Sequence, residues 1–171
     1  MRGEPGFGDA VGGVGFRAAT VAERADLLAL MCAELAERLQ RTLVLLGMTW
    51  PQFEALVAAR GEVRAIEVAG TLAGFVWIEQ RARDLHLHAI IVLASCRGRG
   101  VGSAALRALA SEFAGHVDAI ELGVEASNAR ARAWYLRHGY EVTERLPELG
   151  FEVMRKPLVD RDGGGSTVGP G

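Results

Sequence analysis

The chain has only two cysteines, Cys32 and Cys96. Nothing pairs them into a disulfide framework or a metal site, and a reducing interior is expected. Long apolar runs are also missing. The start Met1-Arg2-Gly3-Glu4-Pro5-Gly6 has no apolar core of a secretory signal, and no stretch reaches the ~20 apolar residues of a membrane span. The cytoplasm is therefore the expected compartment. Excess charge of either sign is absent: the formal net charge is −2 and the basic residues are scattered. That excludes an electrostatic footprint for nucleic acid or for an anionic membrane. A small molecule or a peptide end remains as the partner. With 171 residues, half of them apolar, the chain is long enough to bury a core of its own in one domain.

What the chain does have is a glycine-rich turn, Cys96-Arg97-Gly98-Arg99-Gly100-Val101-Gly102-Ser103-Ala104-Ala105-Leu106. It joins an apolar, β-branched run to a helical pattern. Gly98, Gly100 and Gly102 can adopt positive φ and admit a ligand close to the main chain, so that successive N–H groups point into one concavity. The helix beyond adds its unpaired first N–H groups and the positive end of its dipole. Such a turn suits a diphosphate. A nucleotide-triphosphatase loop would need Gly-Lys-[Ser/Thr], and no lysine lies near. A dinucleotide fingerprint belongs in the first βα unit, whereas this turn lies past the midpoint with Ser103 or Ala105 at the third glycine position. A tight strand-to-helix turn that needs glycine only for packing is the remaining alternative.

Elsewhere the pattern resolves into short elements. Val14–Ala19 reads as a strand. Thr20-x-x-Glu23 is a capping box before an apolar stripe at Leu27, Leu28, Met31, Leu35 and Leu39. Thr49-x-x-Gln52, with Pro51 in the first turn, opens a second helix burying Phe53, Leu56 and Val57 and stopped at Gly61. Val63–Val68 and Leu72–Glu79 form a hairpin through Ala69-Gly70-Thr71. Leu85–Leu93 suits a central strand buried on both faces. After the glycine turn, Ala105, Leu106, Leu109 and Phe113 mark a helix. Val117–Glu125 is a strand with Ile120, Leu122 and Val124 on one face. Ser127-Asn128 caps a short helix to Arg137, stopped by Gly139. Tyr140–Thr143 and Phe151–Lys156 close the sheet as an antiparallel pair. Residues 1–13 and 159–171 are glycine-rich and read as flexible tails around a domain at 14–158.

Arg97-x-x-Gly100-x-Gly102 fits the [Gln/Arg]-x-x-Gly-x-[Gly/Ala] pattern, and the run resembles the acetyl-CoA pyrophosphate loop of the GNAT superfamily of N-acetyltransferases. Asn128-Ala129-Arg130-Ala131-Arg132-Ala133-Trp134-Tyr135-Leu136-Arg137-His138-Gly139-Tyr140 resembles that superfamily's Asn-x-x-Ala-x-x-[aromatic/Leu]-Tyr-x-x-x-Gly-[Phe/Tyr] segment, matching every specified position. The element order is also that of the GNAT fold. The resemblance implies an α/β fold with a mixed, mostly antiparallel sheet of six to seven strands, flanked by about four helices and splayed between two central parallel strands. It further implies acetyl-CoA as co-substrate and no metal. The loop residues Arg97, Gly98, Arg99, Gly100, Val101, Gly102 and Ser103 would hold the pyrophosphate, Asn128 would reach the CoA arm, and the Tyr135 hydroxyl would sit beside the sulfur. A backbone N–H near Ile91 or Val92 would meet the oxyanion, and Arg130 or Arg132 the 3′-phosphate. Asn128 acting only as a helix cap, and Tyr135 only as a packing aromatic, stay open as alternatives.

Acetyl transfer to an amine needs a neutral amine, a stabilised oxyanion and a proton for the departing thiolate. His86 and His88 share one strand face by period two and have the ordinary pKa, near 6.5, of a base working at neutral pH. His88 is closer to the expected thioester, and Glu79 is a further candidate. Relatives often carry a carboxylate here, so histidine is a departure. Two imidazoles also raise metal binding, but no carboxylate or third ligand is evident in register. Tyr135 would protonate the thiolate. Cys96 lies on the phosphate side of the loop, away from the thioester, which argues against an acyl-enzyme. The expected activity is direct acetyl transfer to a primary amine of a small molecule or peptide in a ternary complex; the rival is an acyl-CoA-binding or sensing module without turnover. Arg38, Arg41, Trp50, Glu148 and Glu152 would wall the acceptor site and define no single substrate. A homodimer is open.

Overall fold

The computed structural model describes residues 13–158, apart from the side chains of Leu35 and Arg38. The tails read at 1–13 and 159–171 lie, Gly13 apart, outside the described residues. The elements follow in the order β1 (Val14–Ala18), α1 (Val21–Leu45), α2 (Trp50–Ala59), β2 (Glu62–Val68), β3 (Thr71–Arg81), β4 (Asp84–Val92), a 3-10 turn (Ala94–Cys96), α3 (Val101–Phe113), β5 (Ala119–Glu125), α4 (Ala129–Arg137), β6 (Glu141–Leu146) and β7 (Phe151–Pro157). The sheet order is β1-β2-β3-β4-β5-β7-β6, and β4 with β5 is its parallel pair.

Local signals account for the boundaries. Thr20 Oγ1 accepts the Glu23 N–H at 3.2 Å while Glu23 Oε2 accepts the Thr20 N–H at 2.9 Å, so both read capping residues start α1 as expected. Thr49 and Gln52 do the same for α2. Leu56 is half-buried rather than buried, since Phe53 and Val57 take the core-facing side. Strand ends move by a few residues from the sequence reading: β5 begins at Ala119, and β6 runs Glu141–Leu146 because pairing with β7 extends it beyond its apolar start.

Strand alternation divides the core between two faces. On one, Val101, Ala105, Leu106 and Leu109 of α3 pack against Leu85, Leu87, Ile120, Leu122 and Val124. On the other, Leu27, Met31 and Leu43 of α1 and Phe53 and Val57 of α2 cover Phe75, Trp77 and Ile91. The expected central strand is β4, fourth of the seven, and it is buried on both faces, by Leu85 and Leu87 against the α3 side and by Ile91 against the α1–α2 side, while its other residues are only half-buried. Two irregularities explain this. The β3–β4 register shifts between Trp77 and Ile78, pairing Trp77 with Ala89 and Ile78 with Leu87; His88 is the extra residue of a bulge. On the other side, β4 pairs with β5 only from Asp84–Ala119 to Leu87–Leu122, and beyond that the two strands part.

Candidate active site

The glycine turn sits at the end of β4. Gly98 and Gly100 have φ of +72° and +77°. Gly100 is the N-cap of α3 and offers no side chain, so among the described residues no side chain caps the first N–H groups of that helix. Gly102 departs from the expected role: its φ is not positive, and a Cβ there would lie 3.2 Å from Trp134 Cζ2 and 3.6 Å from Val92 Cγ2. Its bareness lets α4 pack onto the loop, and the Trp134 indole N–H donates to Ser103 Oγ at 3.3 Å. Arg97 donates from Nε to the Val92 carbonyl at 3.0 Å and its guanidinium meets Glu34 of α1. Arg97 thus frames the loop, while Arg99 lies exposed on it.

The parting of β4 from β5 separates the two backbone candidates. Leu93 N–H donates to Ala73 O at 2.8 Å, and Phe75 is the partner of Ile91. By alternation the main-chain groups of Ile91 face β3, and those of Ile90 and Val92 face the gap.

His86 and His88 do share a face, with ring centroids 4.6 Å apart. Carboxylates that the sequence order hides stand beside each. Glu79 Oε2 accepts from His88 Nε2 at 2.8 Å, and Glu121, across the parallel ladder from His86, has Oε1 3.4 Å from His86 Nδ1. His88 is further fixed by stacking on Trp77 at 4.0 Å, whose indole N–H bonds the Arg60 carbonyl at 2.7 Å. Arg81 pairs with Glu79 at 2.8 Å; this arginine first and His88 second hold the Glu79 carboxyl below the usual range, so it is a poor base. Both imidazoles are pushed below their ordinary pKa, chiefly by burial.

On α4, Asn128 Oδ1 accepts the Ala131 N–H at 3.2 Å, so this side chain does cap the helix. Tyr135 packs between Trp134 at 4.9 Å and Tyr140 at 5.5 Å, and burial pushes its hydroxyl up to about 12. Arg130 is exposed, whereas Arg132 pairs with Glu152 at 2.8 Å.

A cavity of about 260 Å³ opens on the α1 side where β4 and β5 part. It is lined by His86 and Glu121, by Gly123 of β5, and by Leu45, Leu46, Leu146, Leu149, Phe151 and Val153. A second one, bounded by Arg41, Glu125 and Glu148, adjoins it. Of the expected wall residues, Arg41 pairs with Glu125 at 3.0 Å and Trp50 donates to Glu54 at 2.8 Å; the side chain of Arg38 lies outside the described residues. Glu152 lies along the cavity as expected, but with its side chain turned away from it. Alternation turns its side chain to the α4 face, where it is 7% exposed and also meets Arg145 at 3.1 Å. Glu152→Ala leaves Arg132 half-buried without its anion and is expected to lower stability by about 2 kcal/mol, measured by denaturant titration.

Glu121 and Gly123 escaped the sequence reading. Their positions opposite Ile120, Leu122 and Val124 were legible, but their neighbourhood with His86 depends on a parallel pairing that no local signal specifies. Among the described residues no group of three or more His, Cys, Asp or Glu is arranged to hold a metal, and no single helix is long and apolar enough to cross a membrane. Cys32 and Cys96 are free and half-buried.

Residues 27–140 match the model of the acetyltransferase (GNAT) family. An uncharacterized N-acetyltransferase of Methanocaldococcus jannaschii is 31% identical over 84 residues, which are 48% of this chain and 54% of that protein. The chain thus spans about half the length of this relative. The structure is similar to that of the ribosomal-protein-S18-alanine N-acetyltransferase from Escherichia coli, with a TM-score of 0.63 and 18% identity over 92% of this chain and 99% of that one. It is likewise similar to the PaiA N-acetyltransferase from Thermoplasma acidophilum in complex with coenzyme A, with a TM-score of 0.61 and 13% identity over 84% and 98% of the two chains.

Proposed function

Because the chain belongs to the acetyltransferase (GNAT) family, we propose that it moves an acetyl group from acetyl-CoA directly to a primary amine of a small molecule or peptide within a ternary complex. One observation carries this reading: β4 and β5 part after Leu87 and Leu122, between the glycine loop at the end of β4 and the cavity that begins at Leu122-Gly123. A slender thioester arm lying in that gap would join an anion-binding loop to an acceptor chamber.

In this reading the first-turn N–H groups of α3, with Gly98 and Gly100, hold the pyrophosphate. The pantetheine arm bonds the main-chain groups of β4 that β5 leaves unpaired, as an added strand would. The Val92 N–H meets the carbonyl oxygen as it becomes an oxyanion. His86 lines the cavity while His88 is held by Glu79 and Trp77, so His86 is the better placed to take a proton from the ammonium, reversing the preference that sequence distance gives. The neutral amine nitrogen then attacks the thioester carbon, the C–S bond breaks, the thiolate takes a proton from the Tyr135 hydroxyl, and the extra proton left on the new amide nitrogen returns to the tyrosinate, directly or through water. His88, donating from Nε2 to Glu79, positions His86 through their edge-on ring contact. Arg132 is already committed to Glu152, which leaves Arg130 for the 3′-phosphate. A cytoplasmic setting, consistent with two free thiols, belongs to the same proposal.

Calorimetric titration with acetyl-CoA, CoA and dephospho-CoA tests the reading, followed by thiol release in the presence of amines. Micromolar binding that weakens without the 3′-phosphate is the expected result. Absence of heat with every CoA species sinks it.

A further inference from the structure

The cavity beside His86 is specific in what it lacks. Its walls are mainly the aliphatic and aromatic side chains of Leu45 and Leu46 from α1, Leu146 and Leu149 from the β6–β7 hairpin, and Phe151 and Val153 from β7, with Thr42 of α1 beside them. Leu45, Leu46 and Leu149 are 56%, 57% and 40% exposed, which is costly surface for a chain to leave in water unless something covers it. The floor is Gly123, exposed in mid-strand, where a Cβ would stand 3.8 Å from Phe151 Cδ1. The missing side chain is what gives the chamber its depth.

Within the chamber, charge enters at the end nearest the gap. Glu121 stands there beside His86, and the neighbouring Arg155 is held by Asp84 at 2.9 Å. At the far end Glu125 is matched by Arg41, and the Glu152 side chain belongs to the opposite face. A polycation entering this site would meet one carboxylate near the gap and, beyond the leucines, Glu125 already paired with Arg41 and the exposed Glu148. A saccharide would meet leucines. At about 260 Å³ the apolar chamber itself has room for one modest side chain, and any longer part of an acceptor would run past Leu45 and Phe151 into the adjoining hollow of about 300 Å³.

We infer that the acceptor is a monoamine carrying a single apolar group of leucyl to phenyl size one or two carbons from the nitrogen. The ammonium sits against Glu121 and His86, and the apolar group lies over Gly123 against Leu45, Leu149 and Phe151. A free alkyl or aryl-alkyl amine and a peptide with a hydrophobic first residue present the same chemistry. The inference rests on the acetyltransferase reading of the site.

The test is a set of initial rates at saturating acetyl-CoA with 2-phenylethylamine, 3-methylbutylamine, ethylamine, spermidine, an aminoglycoside, and two tripeptides beginning with leucine or aspartate. Expected is a kcat/KM about 10–100-fold higher for 2-phenylethylamine or 3-methylbutylamine than for ethylamine, or for the leucyl than for the aspartyl peptide. Whichever pair shows the step identifies the source. Preference for spermidine or the aminoglycoside, equal rates with ethylamine and aspartyl peptide, or acetyl-CoA binding without transfer to any apolar amine overturns the inference. Loss of acetyl-CoA binding itself, read separately in the calorimeter, is the failure of the underlying function. Gly123→Val, with Gly123→Ala as the milder variant, is expected to raise KM for the preferred amine about tenfold or more while acetyl-CoA affinity holds. An unchanged KM in both variants argues against the chamber as the specificity site.

Discussion

Tyr135→Phe is expected to lower kcat by about a hundredfold or more while acetyl-CoA affinity stays within about twofold. The thiolate that leaves the thioester needs a proton, and burial keeps the Tyr135 hydroxyl protonated by pushing its pKa up to about 12. Phenylalanine preserves the ring, so the contacts with Trp134 at 4.9 Å and Tyr140 at 5.5 Å survive and the helix that carries them keeps its place. Only the proton and its oxygen go. Tyr140→Phe is the matched control: that hydroxyl is buried without a hydrogen-bond partner among the described residues, and its removal should leave kcat intact. Full turnover by Tyr135→Phe would give the proton to water or another donor. Wild-type protein that binds acetyl-CoA yet releases no thiol with any amine would be the non-catalytic module instead.

Much of this site was legible because its parts are local. The capping residues Thr20 and Thr49, the glycine turn and the Asn128–Tyr140 segment each carry their own geometry within a few residues, and the structure forms a helix start or a loop at each one. Gly102 marks the boundary of that legibility. Its place in the turn was readable, but its reason, the approach of Trp134 from a helix thirty-odd residues on, is tertiary. The contacts of Glu79 and Glu121 with the histidines were hidden for the same cause, although Glu79 itself was a candidate. Glu79 reaches His88 across a bulged antiparallel pair, and Glu121 reaches His86 across the parallel ladder. Both contacts depend on strand register, which hydrophobic alternation constrains in parity but not in offset. Glu152 lines the cavity together with Phe151 and Val153, as expected, but parity turns its carboxylate to the other face, toward Arg132.

His86→Gln should lower kcat/KM by about 10²–10³-fold and abolish the acid limb of its pH profile, while His88→Gln should cost about tenfold and keep that limb. The sign follows from what surrounds His86. Burial is the largest influence and disfavours the imidazolium; Arg81 acts the same way, while Glu121 and Glu79 favour the cation without prevailing. The free base therefore persists below the ordinary value near 6.5, and the acid limb falls below that pH. Stability has the same direction. Below about 6.5 the unfolded chain takes up protons that the folded histidines resist, so stability is full above that pH and declines as pH falls. The two rings touch at 4.6 Å, and a single profile reports the pair; the variants separate them. Glutamine at position 88 can still donate an N–H to Glu79, which preserves the wall behind His86, whereas glutamine at position 86 lines the cavity but accepts no proton at neutral pH. An acid limb that survives in His86→Gln and vanishes in His88→Gln would return the base to His88 and make His86 the positioning residue.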